Sequence, residues 1–207
     1  MFFLTKMEQK LLLPPHKLNL PLEEAIKSEL DQIFLDKVIA NYGLCVSIYD
    51  IESIKGGIIL PTEGSPTYTV VFRMIMFRPY VGEVVSAKLK EVNHDGIRLS
   101  MGFFEDIYIP SGQLPGCPEN NKDPNEDKAV WCYDDKLKKW AMSYNDSLFD
   151  VESDEEIMFR VIKVDYPPIP QEEVQKPFAP MVVTGTIDMY GLGHTSWWKD
   201  AEIEEDS

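Results

Sequence analysis

A change of pattern at Pro79 divides this 207-residue chain. Before it, one helical stretch lies among long apolar stretches. From "PYVGEVVSAKLKEV" onward the chain is written in short strands. One sheet or bundle does not accommodate both halves, so two units are expected: an α+β unit of about eighty residues, then an all-β unit.

In the first half, "MFFLTKMEQKLLLPPHKL" reads as a strand ended by Pro14 and Pro15, because proline has no N–H to give a ladder. "LPLEEAIKSELDQIFLDKVIANYG" follows as a helix whose apolar stripe is Leu22, Ile26, Leu30, Ile33, Phe34 and Val38. Pro21 presets its first turn, Glu23 and Glu24 suit the positive end of its dipole, and Gly43 fits its stop. "LCVSIYDIESI" and "YTVVFRMIMF" read as strands, with "KGGIILPTEGSPT" between them as an exposed turn or tip. These strands are almost continuously apolar, as if covered on both faces. A sheet this small cannot cover itself twice, so part of its surface is expected to meet another domain or chain. The alternative is a compact core with the helix on one face.

In the second half, "GEVVSAKLKEV", "GIRLSMG", "DIYIPSGQL", "AVWCYD", "KWAMSYN", "EEIMFRVIKVDY" and "MVVTGTIDMYGLG" read as strands. "NHDG" is a hairpin signal, since Asp-Gly tolerates positive φ. "CPENNKDPNEDK" and "YPPIPQEEVQKPFAP" read as irregular insertions, and "DAEIEEDS" as an acidic tail. Short strands at regular spacing without helices point to a small closed barrel of OB type.

Charge separates the halves too. Of a net −15, residues 1–80 carry eight Lys/Arg against nine Asp/Glu, and residues 81–207 carry twelve against twenty-six. Phosphate binding rests on neutralisation by Lys and Arg, so an acidic half argues against strong free-standing nucleic-acid binding. A local patch or help from partners is needed. Cys45, Cys117 and Cys132 are odd in number, scattered and free of any C-x-x-C, which reads as a reducing compartment with no structural zinc. No apolar run approaches the roughly 20 residues of a membrane span, and "MFFLTKMEQK" lacks the marks of a signal peptide. His16, His94 and His194 lie far apart, and no nucleophile set or phosphate-cradling glycine loop occurs, so no active site is expected. "DPNED" alternates oxygen side chains at Asp123, Asn125 and Asp127. Lys128 stands where a calcium loop needs glycine, so a solvated loop and no metal are expected.

The binding candidates lie in the second half. Lys88, Lys90 and Arg98 sit on neighbouring strands and can meet phosphates. Strand parity places Lys88 and Lys90 on one face, with Ala87 and Leu89 opposite. Phe103, Phe104 and Tyr108 flank the second and third barrel strands and can stack on bases, although a barrel also needs aromatic core fillers. Trp131, Trp140, Trp197 and Trp198 suit either the core of an elaborated barrel or an interface. Adjacent Trp197 and Trp198 cannot both point inward on a strand.

"GEVVSAKLKEVNHDGIRLSMGFFEDIYIPSGQL" resembles the first three strands of the OB-type RNA-binding barrel repeated in the largest protein of the bacterial small ribosomal subunit. It lacks a histidine that those repeats often carry. "GLCVSIYDIESIKGGIILPTEGSPTYTVVFRMIMFRPYVGEVVSA" resembles the long stalk subunit shared by archaeal and eukaryotic RNA polymerases. In that family an RNP-like tip domain joins an OB barrel at a junction that here is Phe77, Arg78, Pro79, Tyr80, Val81, Gly82, Glu83, Val84 and Val85. "VWCYDDKLKKWAMSYNDSLFDVESDEEIMFRV" and "GLGHTSWW" are most similar to the RNA polymerase III version.

The resemblance implies an RNP-like α+β tip domain over residues 1–79 and an OB-type barrel with loop insertions and an acidic tail over 80–207. It implies a nuclear, non-catalytic subunit without a cofactor. Such a subunit pairs with a small helical partner, docks on the polymerase core, contributes to initiation with initiation factors, and touches emerging single-stranded RNA weakly. Ile54, Lys55, Gly56, Gly57, Glu63 and Gly64 become candidates for core docking. Phe72, Met74, Met76, Phe77, Pro79 and Gly82 become candidates for the domain junction or a partner interface. Many members carry a compact Gly-x-Gly tip turn where this chain has "LPTEGSPTY", so docking details do not transfer. The rival reading is a free-standing OB-fold RNA-binding factor outside the polymerase, which has no need of the first eighty residues.

Overall fold

The structure, a computed structural model, describes residues 1–59, 64–114, 130–134, 139–144, 147–150, 156–169, 178–189 and 191–195. It divides into two compact units, Met1–Arg78 and Pro79–Ser207.

The first unit contains β1 (Phe2–Leu12), α1 (Leu22–Phe34), β2 (Val38–Ile39), β3 (Gly43–Ile59) and β4 (Pro66–Phe77). The strands form one antiparallel sheet in the order β1-β4-β3-β2. β1 ends before Pro14 and Pro15, and a short 3-10 turn at Pro15–Lys17 leads toward α1. Pro21 precedes the helix, and Glu23 and Glu24 occupy its first turn. Ile26 and Leu30 are fully buried, and the Phe34 ring packs on Phe72 with centroids 5.5 Å apart.

The helix stops earlier than its stripe suggests. Leu35 is already extended, and Asp36 takes a left-handed φ of 57°. Val38, the last residue of the expected stripe, pairs in β2 instead. Gly43 is therefore no helix stop. It opens β3 at φ 104°, and a Cβ there would lie 2.2 Å from the Phe77 carbonyl oxygen.

β3 and β4 differ in period. Along β4 every second residue points inward: Val70, Phe72, Met74 and Met76 are wholly buried. Along β3 the residues facing them are Cys45, Ile48, Ile51 and Ile54, one in three. Val46, Tyr49 and Glu52 are each skipped by the register, so a bulge falls after every second paired residue. A bulge inserts an unpaired residue and bends its strand. From Leu44 to Ile59, sixteen residues of β3 thus lie along twelve of β4. A further shift spans Gly56 and Ile58, so "KGGII" continues the strand and is not a turn.

Core packing lies on the α1 side, where Leu11, Ile26, Leu30, Cys45, Ile48 and Phe72 meet. Burial, then the charge of Asp31, pushes the Cys45 thiol up to about 11, so it serves as a small apolar filler beside Met74. The other face departs from the expectation of a twice-covered sheet. It carries the ion pairs Lys6–Glu52 and Arg73–Asp50, with Phe2 and Leu4 exposed. Within this unit the helix covers one face only.

The second unit contains β5 (Val84–Asn93), β6 (Gly96–Ser100), β7 (Ile107–Pro110), β8 (Val130–Asp134), β9 (Lys139–Tyr144), β10 (Ser147–Asp150), β11 (Glu156–Asp165), β12 (Val182–Thr186) and β13 (Gly193–His194). Five of them close a ring, β5-β6-β7-β12-β11 and back to β5. All its pairings are antiparallel except β7 with β12. This mostly-β closed barrel is consistent with the OB type. "VWCYD" and "KWAMSY" are not barrel strands, as the even spacing suggested. They form a separate meander, β8-β9-β10, inserted between β7 and β11.

The barrel interior holds Val85, Ala87, Ile97, Leu99, Ile107, Ile109, Ile157, Phe159, Val161 and Val183. Gly185 makes room for Phe159, since a Cβ there would lie 2.4 Å from the ring. In the β5–β6 hairpin the turn residues are His94 and Asp95, and neither has positive φ. Gly96 is needed one step later, where an added Cβ would meet the Ile109 carbonyl oxygen at 2.2 Å.

Candidate functional site

β5, β6 and β7 bring the three candidate cations onto the outside of the barrel. Lys88 is exposed and stands across from Ser100 on one side and Glu156 on the other. Among the described residues it has no ion pair. Lys90 is a bulge residue, skipped between Leu89 and Glu91, and its ammonium is bound by Glu105. That hydrogen bond, reinforced by the charge of Lys90, holds the Glu105 carboxyl below the usual carboxylate range. Arg98 is held at both ends of its guanidinium. Its Nη2 donates to Asp106 at 2.8 Å, its Nε donates to the Glu105 carbonyl at 3.1 Å, and Glu91 stands 4.0 Å away. Three cations stand among four carboxylates, Glu91, Glu105, Asp106 and Glu156, so the patch has no excess of positive charge.

The three candidate rings separate. Phe104 is buried and fills the core, which removes it as a stacking platform. Tyr108 is half-buried, opposite Arg98 and Thr184, and burial with the charge of Asp95 raises its phenol above the ordinary value. Phe103 is 47% exposed. Of the three candidate rings, Phe103 is the most exposed. Phe103 and Phe104 lie outside the strands, where alternation gives no rule for telling the two apart.

At the far end of the β3–β4 hairpin, Ile54 packs half-buried on the core and Lys55 is exposed. Gly56 and Gly57 have φ of 104° and 91°, and Gly56 comes so close to β4 that a Cβ would lie 2.8 Å from the Thr67 carbonyl. Gly64 is exposed at φ 63°, and Glu63 lies outside the described residues. The sequence reading missed Ile58 and Ile59, which are 68% and 57% exposed. Their signal was present as two adjacent isoleucines inside a glycine- and proline-rich stretch.

The junction candidates sort by parity. Phe72, Met74 and Met76 are wholly buried in the core on the α1 side. Phe77 is 1% exposed but has the opposite parity, and its ring lies 5.4 Å from that of Phe2 on the other face. Pro79 is buried as well. Gly82, at φ 92°, shapes a tight turn in which Glu83 N–H donates to the Tyr80 carbonyl at 3.1 Å. That turn exposes Tyr80 and Val81. Trp131 and Trp140 fall on β8 and β9. Trp197, Trp198, Cys117, the acidic tail and the "DPNED" stretch lie outside the described residues. Among the described residues no group of three or more His, Cys, Asp or Glu side chains is placed to hold a metal, and no helix is long and apolar enough to cross a membrane.

Two family models match the chain. Residues 8–64 match the SHS2 domain found in the N terminus of Rpb7p/Rpc25p/MJ0397, and residues 83–177 match RNA polymerase III subunit Rpc25. The chain is 32% identical to DNA-directed RNA polymerase III subunit RPC8 of Bos taurus, over 96% of this chain and 98% of that one. It is 32% identical to the subunit of the same name from Schizosaccharomyces pombe, over 96% of this chain and all of that one. It is also 30% identical to DNA-directed RNA polymerase II subunit RPB7 of Saccharomyces cerevisiae, over 56% of this chain and 68% of that one.

Proposed function

Because the chain belongs to the RNA polymerase III subunit Rpc25 family, we propose that it is the longer stalk subunit of RNA polymerase III and supplies surfaces to that enzyme, with no active site of its own. The observation that carries this reading is the span of the similarity. It runs through both units, including the first eighty residues that a free-standing RNA-binding module would not need.

The two units divide the work. The first presents the end of its long hairpin, with Lys55–Gly57 and the exposed Ile58 and Ile59, to the polymerase core, and its remaining surface to a small helical stalk partner. Two adjacent exposed isoleucines suit a protein interface better than a polyanion, because their burial removes apolar area from water. The barrel presents Lys88, Arg98 and Phe103 to emerging single-stranded RNA or to initiation factors. Its contact with RNA is weak, since Lys90 and Arg98 must first part from Glu105 and Asp106. The chain works without a cofactor, in the nucleus where RNA polymerase III transcribes.

Purification of the tagged chain from its own cells, with identification of the chains that accompany it, tests the reading. Core subunits of RNA polymerase III and a small helical subunit are expected in near-equal amounts. Recovery of the chain bound to RNA with no polymerase subunit overturns it.

A further inference from the structure

The two outer edges of the first unit's sheet are unlike. Among the described residues, no strand beyond β2 pairs with the outer edge of β3, and its bulges break that edge every third residue from Val46 to Glu52. Bulges are a known means of preventing a foreign strand from adding. β1 lacks that protection. It pairs with β4 over eleven consecutive positions, Phe2 opposite Phe77 through Leu12 opposite Thr67, with no register shift. Among the described residues no strand pairs with its other side.

The parity of that open side can be read directly. Arg78 N–H donates to the Met1 carbonyl, and Leu13 N–H donates to the Pro66 carbonyl, so odd-numbered residues turn their backbone groups toward β4. Even-numbered ones turn outward, and Leu4, Lys6, Glu8 and Lys10 offer N–H and C=O groups to an incoming strand. The Gln9 side-chain amide donates to the Lys10 carbonyl in the meantime. The even-numbered side chains from Phe2 to Leu12 are all exposed.

We infer that the occupant of this edge, in chains not yet assembled with other subunits, is β1 of a second copy, added antiparallel about a twofold axis at Met7. Full hydrogen bonding requires even residues to face even residues, which leaves three central registers. Centring on Lys6 sets Lys6 against Lys6. Centring on Glu8 sets Glu8 against Glu8 and Lys6 against Lys10. Centring on Met7 sets Lys6 against Glu8 twice, Phe2 against Leu12 twice, and Leu4 against the stem of Lys10. Charge complementarity thus selects one register. The first eighty residues, with a balance of −1, do not oppose the approach of a second copy as the acidic remainder would.

Sedimentation velocity of the full chain over a range of concentrations, with hydrogen exchange at the Lys6, Glu8 and Lys10 amides, tests the inference. A dimer whose formation slows exchange at these three amides is expected. Glu8→Lys alone and Lys6→Glu alone each replace both attractive pairs by repulsive ones and weaken association roughly tenfold or more. An equal mixture of the two variants restores opposite charges at both positions and recovers the dimer, which a folding defect would not do. A wild-type chain that stays monomeric, a dimer that neither variant weakens, or a mixture that stays monomeric overturns it.

Discussion

On the first sheet, Arg73 is caged by Asp50, by Glu52 at 3.5 Å and by the ring of Tyr49 at 5.3 Å, and the hydrogen bond from its guanidinium lowers the Asp50 carboxyl from its ordinary value. Large apolar side chains are exposed near that cage, Phe2, Leu4 and, at the hairpin's end, Ile58, beside the charged Glu8 and Lys10. On the barrel, Lys90 and Arg98 are held by carboxylates in the same way, and the exposed groups beside them are Lys88 and, in part, the ring of Phe103. Both surfaces neutralise most of their own charge. The residue of each differs, and that residue decides whether a surface suits a protein or a nucleic acid.

The largest test of this contrast separates interior from surface. Phe72→Ala empties a wholly buried site in the first unit and is expected to cost about 3–5 kcal/mol in urea unfolding. Phe103→Ala is expected to stay within about 0.5 kcal/mol. Similar losses for the two would mean that Phe103 is structural in spite of its exposure.

Gly185→Ala probes the barrel without touching its outer charges. The added methyl meets the Phe159 ring, and overpacking of about 1–3 kcal/mol is expected, read by the same unfolding curve. An unchanged midpoint would show that the ring can move aside.

A smaller effect concerns RNA. Glu105→Gln frees Lys90 and is expected to tighten binding of a single-stranded oligonucleotide about twofold to fivefold at low salt. Lys88→Ala should loosen it by a similar factor and flatten the salt dependence by roughly 0.7 of a log unit per log unit. Fluorescence anisotropy measures both. If the glutamine variant binds no tighter, the carboxylates are not what limits the contact.

The smallest effect is that of pH. The Asp50 carboxyl is depressed in the folded state by the hydrogen bond from Arg73, so its contribution to stability is in place above the unfolded value, near 3.9. It is lost as pH falls through the lower folded value. The pair is exposed, which keeps the effect slight. Carbon-detected titration of the Asp50 side chain is expected to show a midpoint below that of an ordinary aspartate; a midpoint at or above it would mean the cage is open in solution.

Much of the first unit was legible because its signals are local. Pro14 and Pro15 end a strand, and Pro21 with Glu23 and Glu24 begins a helix, whatever the rest of the chain does. The end of α1 was not legible, because Val38 continues the apolar stripe although its backbone has already turned into β2. The inward residues of β3 recur every third position, which matches neither a strand nor a helix template, so the sequence shows only loose alternation. Barrel closure was readable from strand spacing. That β8, β9 and β10 stand apart was not, because pairing partners are a long-range property. At the candidate site, Lys88 and Arg98 lie on the barrel's outer face, whereas the neutralising partners Glu105 and Asp106 come from the bend after β6, which no periodicity describes.

The triplet rhythm of β3 bears on how this hairpin can change over generations. In a regular strand the gain or loss of one residue turns the whole hydrophobic face outward. Here Val46, Tyr49 and Glu52 are each extra to the ladder. Deleting any one of them would leave the residues on either side facing as they did, with Ile48 still inward and Asp50 still outward. The hairpin therefore tolerates loss of a residue at these three places: the ladder with β4 keeps its length and its inward face, and only the bend of β3 changes.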